Sequence, residues 1–226
     1  MKIAVFGSTG GNGRLVLADG IRRGHEMTAF ARDAGAFAGV AGLAGVAGLA
    51  GVPGLGGVAA LGGVAGLGGV VEGDGRDRDA VEKAIAGQDA VIVTVSGRGE
   101  AGVAAGIART VTAAMASLGV SRLVAASAYG MVATRPYIVA GVVRRIFAQG
   151  FADQAAADQI IASSELDWTI LRGTRLTGKP ADRPARRSTE LFTRGPYSLP
   201  RAAFAAALVD LAQDRTAVRQ TVNITG

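Results

Sequence analysis

Residues 5–14 read "VFGSTGGNGR", and how these ten residues are read decides the fold. They close a short apolar run, Ile3 to Phe6, and carry glycines at positions 7, 10 and 13. A GxxGxxG pattern placed after a buried strand and opening a helix makes a tight turn there. That turn lets backbone N–H groups approach a pyrophosphate at the helix amino end. Gly7, Ser8, Thr9, Gly10, Gly11, Asn12, Gly13 and Arg14 are therefore the candidate phosphate cradle. Glycines also make ordinary turns, and it is the strand–turn–helix context that lifts this pattern above them. Arg14 reads equally well as extra positive charge near the phosphates or as a solvent-facing residue of the first turn. A mononucleotide P-loop is excluded, because the one Gly-Lys pair, Gly178 and Lys179, is followed by Pro180 rather than Ser or Thr.

Outward from this motif the chain alternates short apolar runs with amphipathic segments. Strands are expected at 2–6, 26–31, 70–72 (the recognisable end of a third), 90–95, 122–126, 168–171 and 220–224. Helices are expected at 13–23, 77–86, 102–118, within 138–164, and at 201–213. Strands alternating with helices pair in parallel through right-handed crossovers. The expected fold class is α/β, a Rossmann-type doubly wound, mostly parallel sheet in a single domain over residues 1–226. Ligands of such sheets bind at the carboxyl ends of the strands.

One stretch breaks the rhythm. Residues 39–70 read "GVAGLAGVAGLAGVPGLGGVAALGGVAGLGGV", with Val or Leu recurring about every third residue. Three residues fall short of a helical turn, so the apolar stripe winds around the axis instead of forming a face. With a single proline in the run, Pro53, a collagen helix is not expected. Its glycines and its position between two strands of one sheet argue against a membrane span. The reading is a repeat-expanded, low-complexity insert between the second and third strands, its last valine entering the third.

Composition sets further bounds. The chain of 226 residues is 49% hydrophobic and 19% charged, which suits a sheet covered on both faces. It has no cysteine, which rules out disulfides, thiolate metal sites and a cysteine nucleophile. No metal site is read. The only histidine, His25, reads as a surface turn residue. The net charge of +6 raises an acidic partner, but aromatic residues are only 5% and no nucleic-acid motif is present, so nucleic acid is disfavoured. The expected partner is a small-molecule acceptor, with no membrane, and the oligomeric state is left open. Without a signal-peptide core at its start, the chain is expected in the cytoplasm.

The end of the second strand bears on the choice of dinucleotide. Arg32, after "TAFA", is placed to pair with the 2′-phosphate of NADP, whereas an acidic residue there would accept from the ribose hydroxyl of NAD. A surface arginine at a strand end is the alternative, and Asp33 follows directly. The cofactor read is NADP(H), with NAD(H) as the alternative.

With "VFGSTGGNGR", "VVEGDGRD", "GQDAVIVTVSG", "SRLVAASAYG", "SSELDWTILRGTRLT" and "VNITG" in view, the chain resembles the atypical short-chain dehydrogenase/reductase superfamily. The likeness is to its small NAD(P)H-binding branch, which includes flavin reductase/biliverdin reductase-like and NmrA-like proteins. It covers nearly the whole chain apart from 39–70. The resemblance implies that Gly73 and Asp74 lie by the adenine, that Val95, Ser96 and Gly97 line the dinucleotide, and that Ser127 faces the nicotinamide. Asp74 and Ser96 read otherwise as capping residues, and Ser127 as satisfying a strand-end backbone group.

Two departures from the resemblance concern catalysis. The extended dehydrogenases use Tyr-x-x-x-Lys, and here Tyr129 is followed four positions later by Ala133. Gln154 stands where many relatives place a lysine. Gly173 replaces a frequent proline after the sixth strand, and a looser loop is expected in the substrate-side region around 173–200. Ser127 and Tyr129 remain the candidate catalytic residues. The apolar segment 137–151, with Arg144 and Arg145, reads as core helix, as the flank of an apolar pocket or as a partner surface, and Trp168 as core. The function expected is an NAD(P)H-dependent oxidoreductase, NADPH-preferring, reducing a flavin-, quinone- or carbonyl-type acceptor. The alternative is a non-catalytic NADP-binding redox sensor.

Overall fold

The computed structural model describes residues 1–37, 66–95, 101–134, 137–180 and 184–226. Its elements, in chain order, begin with β1 (Lys2–Phe6), α1 (Gly11–Arg22), β2 (Glu26–Ala31), β3 (Leu67–Glu72) and α2 (Arg78–Ile85). There follow β4 (Ala90–Val93), α3 (Val103–Leu118), β5 (Arg122–Ala128), α4 (Tyr137–Ile146) and α5 (Ala148–Ala162). The chain continues through β6 (Asp167–Gly173), β7 (Arg175–Thr177), β8 (Arg186–Ser188) and β9 (Ser198–Pro200), and ends with α6 (Arg201–Gln213) and β10 (Gln220–Thr225). The main sheet has the order β3-β2-β1-β4-β5-β6-β10-β8. All its pairs are parallel except β10 with β8.

The apolar strand runs are what a doubly covered sheet requires, because both faces of each inner strand are buried. Alternate residues of β1 serve the two layers. Ile3 and Val5 pack with Val16, Leu17 and Ile21 of α1 and with Phe204 and Leu208 of α6. Ala4 and Phe6 face the opposite layer, built from Val81 of α2, Val111 and Met115 of α3 and Ile161 of α5. Helix ends are marked locally: the Asp77 carboxylate accepts from the Asp79 N–H at the start of α2, and Gly119 ends α3 at φ 70°. Among the described residues no helix is long and apolar enough to cross a membrane.

Several expectations need correction. The first helix starts at Gly11 rather than two residues later, so the glycine motif supplies its opening turn. β3 reaches back to Leu67, deeper into the glycine repeat than its last valine. Parallel pairing needs only backbone groups, and the glycines are tolerated at this sheet edge, with a register irregularity opposite Met27 and Thr28. The rest of the insert, 39–65, lies outside the described residues. His25 is buried rather than at the surface, its ring 3.2 Å from the Gln213 amide, and burial lowers its pKa. Trp168 is core, as expected.

Gly173 is not the start of a loose loop. It is the buried last residue of β6, paired with Ala128 and Ile224, and a Cβ there would stand 2.8 Å from the Phe204 ring. Close packing of β6 on α6 therefore demands glycine. The region after it holds β7, β8 and β9, which the sequence reading did not find. Each has three residues and pairs with a distant segment, so no local periodicity announces it.

Candidate functional site

The glycine loop is built by close approaches that exclude larger side chains. Gly7 adopts φ +79°, where L residues with a Cβ are strained, and its carbonyl accepts from the Gly10 N–H at 3.0 Å. A Cβ on Gly13 would lie 2.2 Å from that same carbonyl oxygen. The loop is pinned from both neighbouring strands. The fully buried Ser8 hydroxyl donates to the Phe30 carbonyl at 2.6 Å, and the Thr94 hydroxyl lies 3.0 Å from the Phe6 carbonyl. No side chain caps the amino end of α1 and no acidic residue sits in its first turn. The positive end of the helix dipole thus stays available to an anion.

This loop forms one wall of a cleft of about 410 Å³, within the range of small-ligand sites. Gly7, Thr9, Gly10, Gly11 and Asn12 line it from the loop, Arg32 from the end of β2, Asp74 from the end of β3, and Val95 after β4. Ser8 turns its side chain away to Phe30, so its hydroxyl holds the loop rather than facing the cleft. Arg14 is half-buried on α1 and does not line the cleft. Ser96 and Gly97 lie outside the described residues.

The rim is rich in arginine. Arg32 is exposed at the wall, while the Asp33 carboxylate is turned back onto the Gly35 N–H at 2.8 Å. The Asp74 carboxylate accepts from the Arg76 guanidinium at 2.7 Å and from the Arg76 N–H at 2.8 Å. These bonds, aided by the charge of Arg32, hold its pKa at about 2. Arg201, the first residue of α6, donates to the Asn12 side-chain oxygen at 2.9 Å and so closes the cleft above the loop. It stands 189 residues from its partner, and nothing local in the sequence marks it.

Ser127 and Tyr129 end up in different surroundings. In the sheet register Phe6 pairs with Val93, and Val93 with Ala125, so Ser127 stands two residues beyond the row at which β1 ends. Its hydroxyl donates to the buried Asp158 carboxylate at 2.8 Å. Tyr129 is not among the residues that line the cleft. It is 2% exposed, packs on the Phe192 ring, and its phenol accepts from the Phe192 N–H at 2.7 Å and lies 3.3 Å from the Phe192 carbonyl. Burial raises its pKa, the reverse of what a proton donor at neutral pH needs. Asp158 was missed by sequence reasoning. The available signal was its place one helical turn after Gln154, on the same face of α5.

A family model described as NAD(P)H-binding matches residues 64–215. The chain belongs to the NAD(P)H-binding family. The matched span runs from just before β3 to just past α6 and does not include the glycine loop. Solved structures show the same fold. A short-chain dehydrogenase/reductase of wide type from Veillonella parvula DSM 2008, in complex with NADP, superimposes with a TM-score of 0.79 at 16% identity, covering 100% of this chain and 94% of its own. ChuY, an anaerobillin reductase from Escherichia coli O157:H7, gives 0.75 at 21%, covering 100% and 97%. The oxidoreductase ylbE from Lactococcus lactis gives 0.76 at 19%, covering 100% and 91%. The residues present fit the cofactor of this family: Gly7, Thr9, Gly10 and Gly11 line the cleft at the uncapped amino end of α1. Arg32, Arg76 and Arg201 face it with, among the described residues, a single carboxylate, Asp74, which is engaged by Arg76.

Proposed function

We propose that the chain is an NADPH-preferring reductase of a small flavin-, quinone- or carbonyl-type acceptor. One observation carries this reading: the glycine cradle and Ser127 stand at the carboxyl ends of strands β1 and β5, which both flank β4 in one sheet. Phosphate binding and the reacting end of the ligand then share one edge of the sheet, as open α/β sheets require. The likeness to an NADP complex and to a reductase supports it.

In this reading the N–H groups of the glycine loop and the amino end of α1 take the pyrophosphate, and Arg201 adds charge above it. Arg32 takes the 2′-phosphate through a charge-assisted contact. Asp33, engaged with Gly35, does not compete for the ribose. When bound, NADPH supplies a hydride equivalent. The chain's own contribution is to position donor and acceptor and to exclude water, which suits acceptors needing little acid–base help. A cytoplasmic setting belongs to the same reading.

The test is NADPH oxidation, followed by the loss of reduced-nicotinamide absorbance, with flavins, quinones and small carbonyls as acceptors. Acceptor-dependent oxidation is the expected result. Tight NADPH binding without turnover across all three classes would replace the reductase by a redox sensor.

A further inference from the structure

Deeper in the same end of the sheet lies a polar cluster that no glycine or arginine of the cleft explains. Asp158, on α5, is 5% exposed. One carboxylate oxygen accepts from the Ser127 hydroxyl at 2.8 Å and from the Arg172 guanidinium at 3.3 Å. The other accepts from the Gln154 amide at 3.2 Å, and that amide also lies 3.4 Å from the Ala126 carbonyl. The groups facing this carboxyl are therefore Ser127 from β5, Gln154 from α5 itself and Arg172 from β6. Arg172 is the single charge among them, and its side chain is 22% exposed. A buried carboxyl with two neutral polar partners and one rather long ion pair can hold a proton at little cost, because desolvation opposes the ionised form. Here burial outweighs the opposing pull of Ser127, Gln154 and Arg172 and pushes the Asp158 pKa upward.

We propose that Asp158 is the proton reservoir behind Ser127, a positioning and proton-supplying residue that replaces the absent tyrosine–lysine pair. The inference rests on the reductase reading above. In its acid form Asp158 donates to the Ser127 oxygen, which leaves the Ser127 O–H free to turn toward an acceptor. As a hydride from a reduced nicotinamide forms a bond to the electrophilic atom of the acceptor, the acceptor's π bond breaks toward its heteroatom. That heteroatom takes the Ser127 proton, and the Asp158 O–H bond breaks to return a proton to the Ser127 oxygen. The electron pair of that bond stays on the Asp158 carboxylate beside Arg172, and water restores the proton before the next turnover. The acceptor gains the hydride, which carries both electrons, and one proton from the protein. A merely structural Asp158 would stay ionised throughout, bracing Arg172 and Ser127.

The test uses the full chain loaded with NADPH and compares wild type, Asp158→Asn and Ser127→Ala. Infrared spectroscopy over a pH series reads the carboxylic-acid C=O band directly. The expected result is a band in wild type that persists above the ordinary carboxylate range and is missing in Asp158→Asn. Steady-state rates with an acceptor found by the absorbance assay should fall roughly 10²-fold or more in both variants, with NADPH affinity unchanged within about twofold, as expected for residues beyond the phosphate cradle. The wild-type rate should decline as pH rises through the Asp158 pKa, and Asp158→Asn should lose that decline. An active wild type whose Asp158→Asn variant keeps both rate and pH profile overturns the relay and leaves the reductase reading standing. No turnover by wild type overturns the reductase reading and the relay with it. Should Asp158→Asn not fold, Ser127→Ala and the wild-type infrared titration decide the matter: a full-rate Ser127→Ala or an Asp158 ionised across the range overturns it.

Discussion

The two ends of the site are built in opposite ways. The proposed phosphate end is made of consecutive residues, Gly7 to Gly13, whose shape is set by contacts among themselves, Gly10 N–H to the Gly7 carbonyl and Gly13 against the same oxygen, and pinned by the Ser8 hydroxyl on the Phe30 carbonyl. The proposed reacting end is assembled across the chain, with Ser127 bonded to Asp158 and the neighbouring Tyr129 to Phe192. Arg201 reaches Asn12 from the far end of the sequence and is the long-range part of the first end. A backbone cradle depends on the absence of side chains at set spacings. The reacting end depends on which side chains the fold brings together, and a change of one partner there alters the chemistry without altering the fold.

The contrast can be broken most forcefully at Gly13. Gly13→Ala places a Cβ where the Gly7 carbonyl oxygen already sits, so it should cost about 1–3 kcal/mol of stability, as overpacking does. It should also weaken NADPH by at least about tenfold, the factor that roughly 1.4 kcal/mol represents. Chemical denaturation and fluorescence titration would read the two effects. Full-affinity binding by this variant would mean that the loop is not the cradle.

Arg32 and Arg201 sharpen the comparison within the phosphate end. Arg32→Ala should reduce the preference for NADP over NAD by ~1–3 kcal/mol, as expected for loss of a charge-assisted contact. Arg201→Ala should weaken both dinucleotides alike, since the pyrophosphate is common to them. Paired titrations with NADPH and NADH separate the two roles, and an unchanged preference in Arg32→Ala would remove that residue from the 2′-phosphate.

At the other end, Tyr129→Phe deletes the phenol that accepts from the Phe192 N–H. The expected cost is about 1–3 kcal/mol of stability, because the phenol's two hydrogen bonds to Phe192 are lost and the buried Phe192 N–H is left without that partner, with acceptor reduction retained. A thermal melt and the absorbance assay check both halves, and loss of turnover at unchanged stability would restore Tyr129 to catalysis.

The smallest effect concerns Asp74. Its folded pKa of about 2 lies below its ordinary value of 3.8, so its ionised form is favoured by folding. That contribution is present above pH 3.8 and is lost as pH falls toward 2. The pair with Arg76 is half-exposed and screened. Denaturation of wild type and Asp74→Asn over this window should converge at the acid end.

Much of the fold was legible because strand runs such as Lys2–Phe6 and Ala90–Val93 are apolar throughout and are separated by amphipathic helices. The glycine loop was legible for the same reason that it works, since a spacing of glycines is a local feature. What the sequence did not disclose was long-range. β7, β8 and β9 have no periodicity of their own, and His25 and Gly173 are defined by Gln213 and Phe204, far along the chain. Tyr129 looked catalytic from its place after β5, but a turn of three residues, Tyr129–Met131, swings it under Phe192. Asp158 went unnoticed because its only local signal, a place one helical turn after Gln154, gains meaning once Ser127 and Arg172 are seen beside it.

The central claim is that the cleft over the glycine loop holds NADPH, and titration of the purified chain with NADPH and NADH by nicotinamide fluorescence tests it most directly. Saturable binding of both is expected, with NADPH the tighter. Absence of binding by either would contradict the reading of residues 5–14 from which the rest is built.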